Sequence, residues 1–355
     1  MNALKTLLKP KQRDSIGYVS DPDRRAEDWT AAEIEAEFSR QLELGFPIGL
    51  YLEGNCPWLI RALDSAKEVK RPIVAQVNTG PPASFQGPFK PDAGLFRLAS
   101  EGKAKLFFHL PYLFNLWLPF DASQAKWPGE EARVPLIRAY VEYLNAFVAL
   151  IPEGLNIGMG FILHAGCPRW PGALGKSAGD YVPAMGSAGD EALEFGKRFR
   201  NNLAWLFDSF LGGLSRKGVQ GRVLIENMAG ADRHPLQLSS FKNCKALLGG
   251  FDKSRYGLCW DTLHSWAAGE SLSPADFSSA DVGLIHMNGG PANVCFGSRK
   301  DLHGYTELSA AVKRGTAYPW LGDAAFQNAP MVFERKLCSV MLKDSAWLAQ
   351  KWGLA

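Results

Sequence analysis

Short runs of consecutive apolar residues recur along the chain, most of them followed by a helical pattern. The first four are Ser15–Ser20 (SIGYVS), Ile48–Leu52 (IGLYL), Lys105–His109 (KLFFH) and Gly158–His164 (GMGFILH). Arg222–Glu226 (RVLIE), Tyr256–Asp261 (YGLCWD), Val282–His286 (VGLIH) and Pro330–Glu334 (PMVFE) complete the series. Each has strand length and is too continuously apolar to keep one wet face, which predicts parallel strands covered on both sides. Helices are predicted over Thr30–Leu44, Val134–Leu150, Glu191–Leu214, Pro235–Leu248 and Val340–Lys351. Thr30 and Glu33 have the spacing of a capping box at the first of them. Strands in repeated β-then-α order predict an α/β fold, a (β/α)₈ TIM barrel, as a single domain over residues 1–355. A doubly wound open sheet is the competing arrangement, but no Gly-x-Gly-x-x-Gly follows any run.

Two segments interrupt this economy. Asn78–Asp92 (NTGPPASFQGPFKPD) is too rich in proline for a helix or a central strand. Pro168–Asp190 is rich in Gly, Ala and Pro and follows a strand end. Both are expected to be insertions on the face where loops leave the strands; they are either substrate loops or surface additions without a role.

Composition narrows the class only a little. A chain of 355 residues that is 46% hydrophobic can bury a large core. Its formal charge of +3 permits a polyanionic partner without requiring one. Cys56, Cys167, Cys244, Cys259, Cys295 and Cys338 include no Cys-x-x-Cys pair. Cys259 and Cys338 lie in or beside apolar runs and read as reduced core thiols, which favours a reducing compartment. There is no apolar stretch of membrane-spanning length, and the opening MNALKTLLKPKQR lacks a sustained apolar segment. The expectation is a soluble, intracellular protein with no membrane partner, in the cytoplasm or nucleoid, or in the nucleus or virion in a eukaryotic or viral setting.

The ends of the runs carry the chemistry. His109, His164, Glu226, Asp261, His286 and Glu334 close strands, His264 follows Asp261 by three residues, and Asp301 and His303 form an Asp-x-His pair. Five of the six histidines fall in this set. Alone, a strand-end histidine is usually a packed or solvated residue. Several converging on one rim with four carboxylates point to divalent metal, because zinc accepts imidazole and carboxylate together.

At the level of motifs, the chain resembles the endonuclease IV family of apurinic/apyrimidinic (AP) endonucleases. The matching text is His109-Leu-Pro-Tyr112-Leu113-Phe-Asn115, His164-Ala-Gly, Ile225-Glu226-Asn227-Met-Ala229-Gly230 and Cys259-Trp-Asp261-Thr262-Leu-His264. His286-Met-Asn288, Phe296-Gly297-Ser298-Arg299-Lys-Asp301-Leu-His303 and Phe333-Glu334 continue it, so that it runs from about Lys105 to the end. Earlier it rests only on Ile16-Gly17 and the Asn55 to Trp58 region. The resemblance implies three zinc ions on a TIM barrel, with Mn²⁺ as the other candidate metal. His109, His164 and Glu226 would hold the first. Glu226 would bridge to a second, also held by Asp261, His286 and Glu334, and His264, Asp301 and His303 would hold the third. Glu226 and Glu334 are the implied catalytic carboxylates. The implied reaction is hydrolysis of the phosphodiester 5′ to an abasic site by metal-activated hydroxide, with trimming of blocked 3′ ends as a further activity. The implied partner is double-stranded DNA containing abasic sites, bound by a monomer. Tyr112 and Leu113 match a loop that enters the minor groove, with core packing at a strand end as the alternative, and Arg299 and Lys300, beside the third metal, are either phosphate contacts or exposed charges without a partner.

Departures from the family pattern bear on DNA grip more than on metal. Gly289-Gly290 stand where an Asp usually follows the His-x-Asn triplet, and Gly304-Tyr305-Thr306 replaces a Gly-Glu-Gly. The early loop reads Asn55-Cys56-Pro57-Trp58, without the arginine of relatives, and His234 matches no ligand position. Two other readings compete. A sugar isomerase or epimerase of the same barrel class needs only Glu226, Asp261, His286 and Glu334, and a non-catalytic damaged-DNA binding protein needs no bridging glutamate.

Overall fold

The computed structural model describes residues 28–52, 56–79, 90–111, 114–124, 134–164, 190–229, 240–299, 301–302 and 304–355. Helix α1 (Ala31–Leu44) starts where the expected capping box forms: Glu33 accepts from the Thr30 amide at 2.8 Å, and the Thr30 hydroxyl accepts from the Glu33 amide at 3.4 Å. It stops at Gly45, whose φ of 76° is the left-handed conformation that a glycine tolerates. Strand β1 (Gly49–Leu52) follows, then α2 (Pro57–Ser65), β2 (Ile73–Asn78), α3 (Ala93–Ser100) and β3 (Ala104–His109). The chain continues through α4 (Val134–Leu150), β4 (Ile157–His164), α5 (Asp190–Arg216), β5 (Val219–Glu226), α6 (Phe241–Leu247) and β6 (Tyr256–Asp261). It ends with α7 (Thr262–Ala268), β7 (Val282–His286), α8 (Leu308–Arg314), β8 (Met331–Val332) and α9 (Cys338–Lys351).

The eight described strands pair in sequence order, all parallel, and a parallel bridge between Leu50 and Phe333 brings the first back to the last. The sheet is thus a TIM barrel and not the open sheet. Its membership differs from the sequence expectation in one place. Ser15–Ser20 lies outside the described residues, and the strand between β1 and β3 is Ile73–Asn78. That segment, IVAQVN, is not continuously apolar, because Gln76 interrupts it and is itself fully buried. Helix α6 is shorter than expected: Ser240 caps it, its hydroxyl accepting from the Asn243 amide at 3.2 Å. Helices α2, α3, α7 and α8 have seven to nine residues, too few turns to show a periodic apolar face in sequence. Both proline- or glycine-rich segments fall largely at residues 80–89 and 165–189, outside the described set.

The inner wall of the barrel follows from the two-residue period of a strand. One cluster takes one side chain from each strand: Tyr51, Val74, Phe107, Ile162, Leu224, Cys259, Leu284 and Val332. The Phe107 ring packs over Gly160, where a Cβ would meet it at 2.2 Å. This apolar plug closes the barrel, as a TIM interior requires. Two residues further on, the same inward face carries Gln76, His109, His164, Glu226, Asp261, His286 and Glu334. A ring of polar groups therefore rests on an apolar floor at the carboxyl ends of the strands. Outside, a second and larger core of aromatic and aliphatic side chains fills the space between strands and helices.

Candidate metal centre

Register sets the neighbours in this ring. His164 and Glu226 are partners across β4 and β5, and Asp261 and His286 are partners across β6 and β7, so each pair stands one strand spacing apart. Glu226 occupies the middle and is almost fully buried. Its Oε2 lies 2.8 Å from His164 Nε2 and 3.3 Å from His109 Nε2. Its Oε1 lies 3.3 Å from His286 Nδ1, which is in turn 3.3 Å from Glu334 Oε2 and 3.8 Å from Asp261 Oδ2. One carboxylate oxygen thus faces each of two groups, His109 with His164 and Asp261 with His286 and Glu334. Within each group, Glu226 included, the candidate ligand atoms lie within 4.8 Å of one another.

The histidines are oriented by what their other nitrogens touch. His109 Nδ1 donates to the Leu110 carbonyl at 2.9 Å, which leaves Nε2 as the lone-pair nitrogen toward Glu226. His264 Nδ1 donates to the Asn227 carbonyl at 2.8 Å, turning Nε2 to Asp301 Oδ1 at 3.2 Å. His286 Nε2 donates to Gln76 Oε1 at 2.7 Å, turning Nδ1 to the carboxylates. A hydrogen bond on the far nitrogen that fixes the tautomer is the usual support of a metal-ligating histidine.

Asp261 is held as firmly. It caps α7, with Oδ1 accepting from the His264 amide at 2.7 Å, and its Oδ2 accepts from Asn288 Nδ2 at 2.7 Å. Asn227 brackets the backbone there, accepting from the Asp261 amide at 2.8 Å and donating to the Asp261 carbonyl at 3.0 Å. Asn288 presents its amide nitrogen to Asp261 because its oxygen accepts from buried Arg335 Nη1 at 3.0 Å. Arg335 in turn pairs with buried Asp344, Nε to Oδ2 at 2.9 Å. A charged relay of Asp344, Arg335 and Asn288 thus stands behind Asp261.

Electrostatics show which charge this ring favours. Burial opposes ionisation of Glu226, but His164 and His286 hold it well below the usual carboxylate range. His286 is pushed up to about 9: burial works against its charge, and Glu334 and Glu226 outweigh burial. His264 is likewise held well above its ordinary value, Asp261 and Asp301 overcoming burial. Positive charge is what the carboxylates draw into the ring. Tautomer-fixed imidazoles and ionised carboxylates on a dry floor fit a borderline-soft divalent cation such as zinc.

Of the expected ligands, His109, His164, Glu226, Asp261, His286 and Glu334 come together in the two groups, and His264 and Asp301 meet beside them. His303 lies outside the described residues, as do Tyr112, Leu113, Lys300 and His234. Arg299 is exposed and takes a left-handed φ of 57°, its amide donating to the Ala267 carbonyl at 2.7 Å. Cys259 is a free, buried thiol in the floor of the site, and Cys338 is free and half-buried. The sequence reading gave no role to Gln76, Asn227, Asn288 or Arg335. Asn227 and Arg335 directly follow the expected ligands Glu226 and Glu334, and Asn288 stands two residues after His286. For Gln76 the signal was a polar residue breaking an apolar strand.

Among the described residues, no helix is long and apolar enough to cross a membrane. Residues 163–314 match the family model of the xylose isomerase-like TIM barrel. Solved structures similar to this chain include a D-tagatose 3-epimerase-like protein, at 11% identity over 86% of this chain and 98% of that one, with a TM-score of 0.47. A Thermus thermophilus protein soaked with zinc chloride aligns at 19% identity over 87% and 99%, with a TM-score of 0.44. An AP endonuclease, family 2, from Brucella melitensis aligns at 12% identity over 85% and 99%, with a TM-score of 0.43. The stretch from β4 to α8, which supplies most of the polar ring, is thus similar to the xylose isomerase-like TIM barrel.

Proposed function

We propose that the chain is a metal-dependent phosphodiester hydrolase that nicks duplex DNA 5′ to abasic sites. The observation that carries this reading is Glu226, with one oxygen among His109 and His164 and the other against His286. A carboxylate so placed suits two neighbouring cations, and zinc is the ion the donors favour. Bound there, such ions would lower the pKa of water and neutralise phosphate charge. His264 and Asp301 would hold part of a further ion nearer solvent, since Asp301 is exposed whereas His264 is buried.

The chain's own groups do the rest. Glu226 and Glu334 keep negative charge on either side of His286, while Asn288 and Gln76 fix the direction of the carboxylates. The apolar floor excludes water from below, so that a phosphodiester can approach only from the loop face. A sugar isomerase or epimerase would use Glu226, Asp261, His286 and Glu334 alone. It would leave His109 and His164 without work, although both turn a ring nitrogen to the same Glu226 oxygen.

The test is incubation of the metal-loaded protein with a duplex carrying one abasic site. A single nick leaving a 3′-hydroxyl and a 5′-deoxyribose phosphate is expected. Ketose epimerisation with no strand cleavage would overturn the reading.

A further inference from the structure

Gln76 is a fully buried amide on a ring otherwise made of imidazoles and carboxylates. A buried amide is costly unless both ends are paired, and here both are. Its Nε2 donates to Glu334 Oε1 at 2.8 Å, and its Oε1 accepts from His286 Nε2 at 2.7 Å. Donor and acceptor parity makes this arrangement one-way. An ionised carboxylate can only accept, so Glu334 takes the amide N–H. The amide oxygen is then left for His286, and that oxygen also only accepts, so the imidazole must carry its proton on Nε2. His286 Nδ1, 3.3 Å from both Glu226 Oε1 and Glu334 Oε2, is thereby the nitrogen that would give up its proton and present a lone pair to a bound cation. Glu334 Oε1 is occupied by the amide, which leaves Oε2 facing the site.

We propose that Gln76 is a positioning residue that selects the metal-ligating atoms of the β7 and β8 ligands, Nδ1 of His286 and Oε2 of Glu334. The proposal rests on Glu226, Asp261, His286 and Glu334 being a metal site, and it is independent of which reaction that site performs. Gln76 reaches these ligands from β2, on the far side of β1 from β8, so it also ties the ligand geometry to closure of the barrel.

The test uses the full chain loaded with ¹¹³Cd²⁺ and ¹⁵N-labelled histidine, with His286 signals assigned by their loss in His286→Gln. In the wild type, cadmium coupling is expected on His286 Nδ1 and the proton on Nε2; coupling on Nε2 would overturn the proposal without any variant. Gln76→Met keeps the length and volume and removes both hydrogen bonds. It is expected to weaken the ion held by His286 by about 10–100-fold in a chelator competition and to lose the single-tautomer pattern. Gln76→Glu keeps an acceptor for Nε2–H and is expected to restore Nδ1 coupling, which a merely space-filling role would not predict. Unchanged affinity and coupling in Gln76→Met would refute the assignment. A wild type that binds cadmium as expected but does not nick abasic DNA would refute the hydrolase and leave this result standing.

Discussion

Arg335 and Asp344 form an ion pair in the protein interior, Nε to Oδ2 at 2.9 Å, with both side chains all but inaccessible to water. Removing one member leaves an unpaired buried charge, which commonly costs about 3–5 kcal/mol. Arg335→Met should therefore destabilise the fold strongly in chemical denaturation, and Arg335→Met with Asp344→Leu should recover much of the loss. Metal affinity should stay low in the double variant, because Asn288 has lost the donor that aims it at Asp261. Full recovery of both properties would show that the relay does not support the metal centre.

The same pair gives a pH signature. Burial raises the Asp344 carboxyl from 3.8 to about 6, against the pull of Arg335. A carboxyl whose folded pKa is raised binds its proton more tightly when folded, so stability is lost as pH rises through the window between those values. Wild type should be most favoured over Asp344→Asn near pH 4, with the difference shrinking up to about pH 6 and then levelling. Denaturation midpoints of the two proteins measured across that range check it; a flat difference would contradict a raised Asp344.

Glu226→Gln keeps the shape of the central residue and removes the charge that faces both ligand groups. Abasic-site cleavage should fall by several orders of magnitude with the circular dichroism spectrum unchanged. Near wild-type turnover together with unchanged metal content would show that Glu226 is not shared.

Stripping metal should lower stability, since the ring then keeps its carboxylates without a cation. Binding at a hundredfold excess over Kd is worth about 2.7 kcal/mol. Treatment with a chelator should lower the Tm by a few degrees and zinc should restore it. A Tm indifferent to both would argue against a resident ion.

Tyr112 and Leu113 are the residues proposed to enter the minor groove. Tyr112→Ala with Leu113→Ala should weaken binding to an abasic duplex by about 1–3 kcal/mol per side chain and leave metal content unchanged. Equal affinity in a gel-shift titration would remove them from the DNA contact.

The sequence alone carried the barrel and most of the groups that gather on its rim, because both depend on local features. Apolar runs such as Tyr256–Asp261 read as strands covered on both faces, and a histidine or carboxylate at the end of six of the eight runs marks the rim. What depends on contacts between distant segments was decided by the tertiary structure. Gln76 lies 210 positions from His286 and 258 from Glu334, and nothing in the local pattern around it indicates that they meet. The apolar floor was illegible for the same reason: Tyr51, Cys259 and Val332 become neighbours only when the sheet closes. Ile73–Asn78 went unread as a strand because the polar residue that makes it useful to the site also breaks its apolar run. Residue type fixed which groups could bind metal; ring closure decided which nitrogen and which oxygen each one presents.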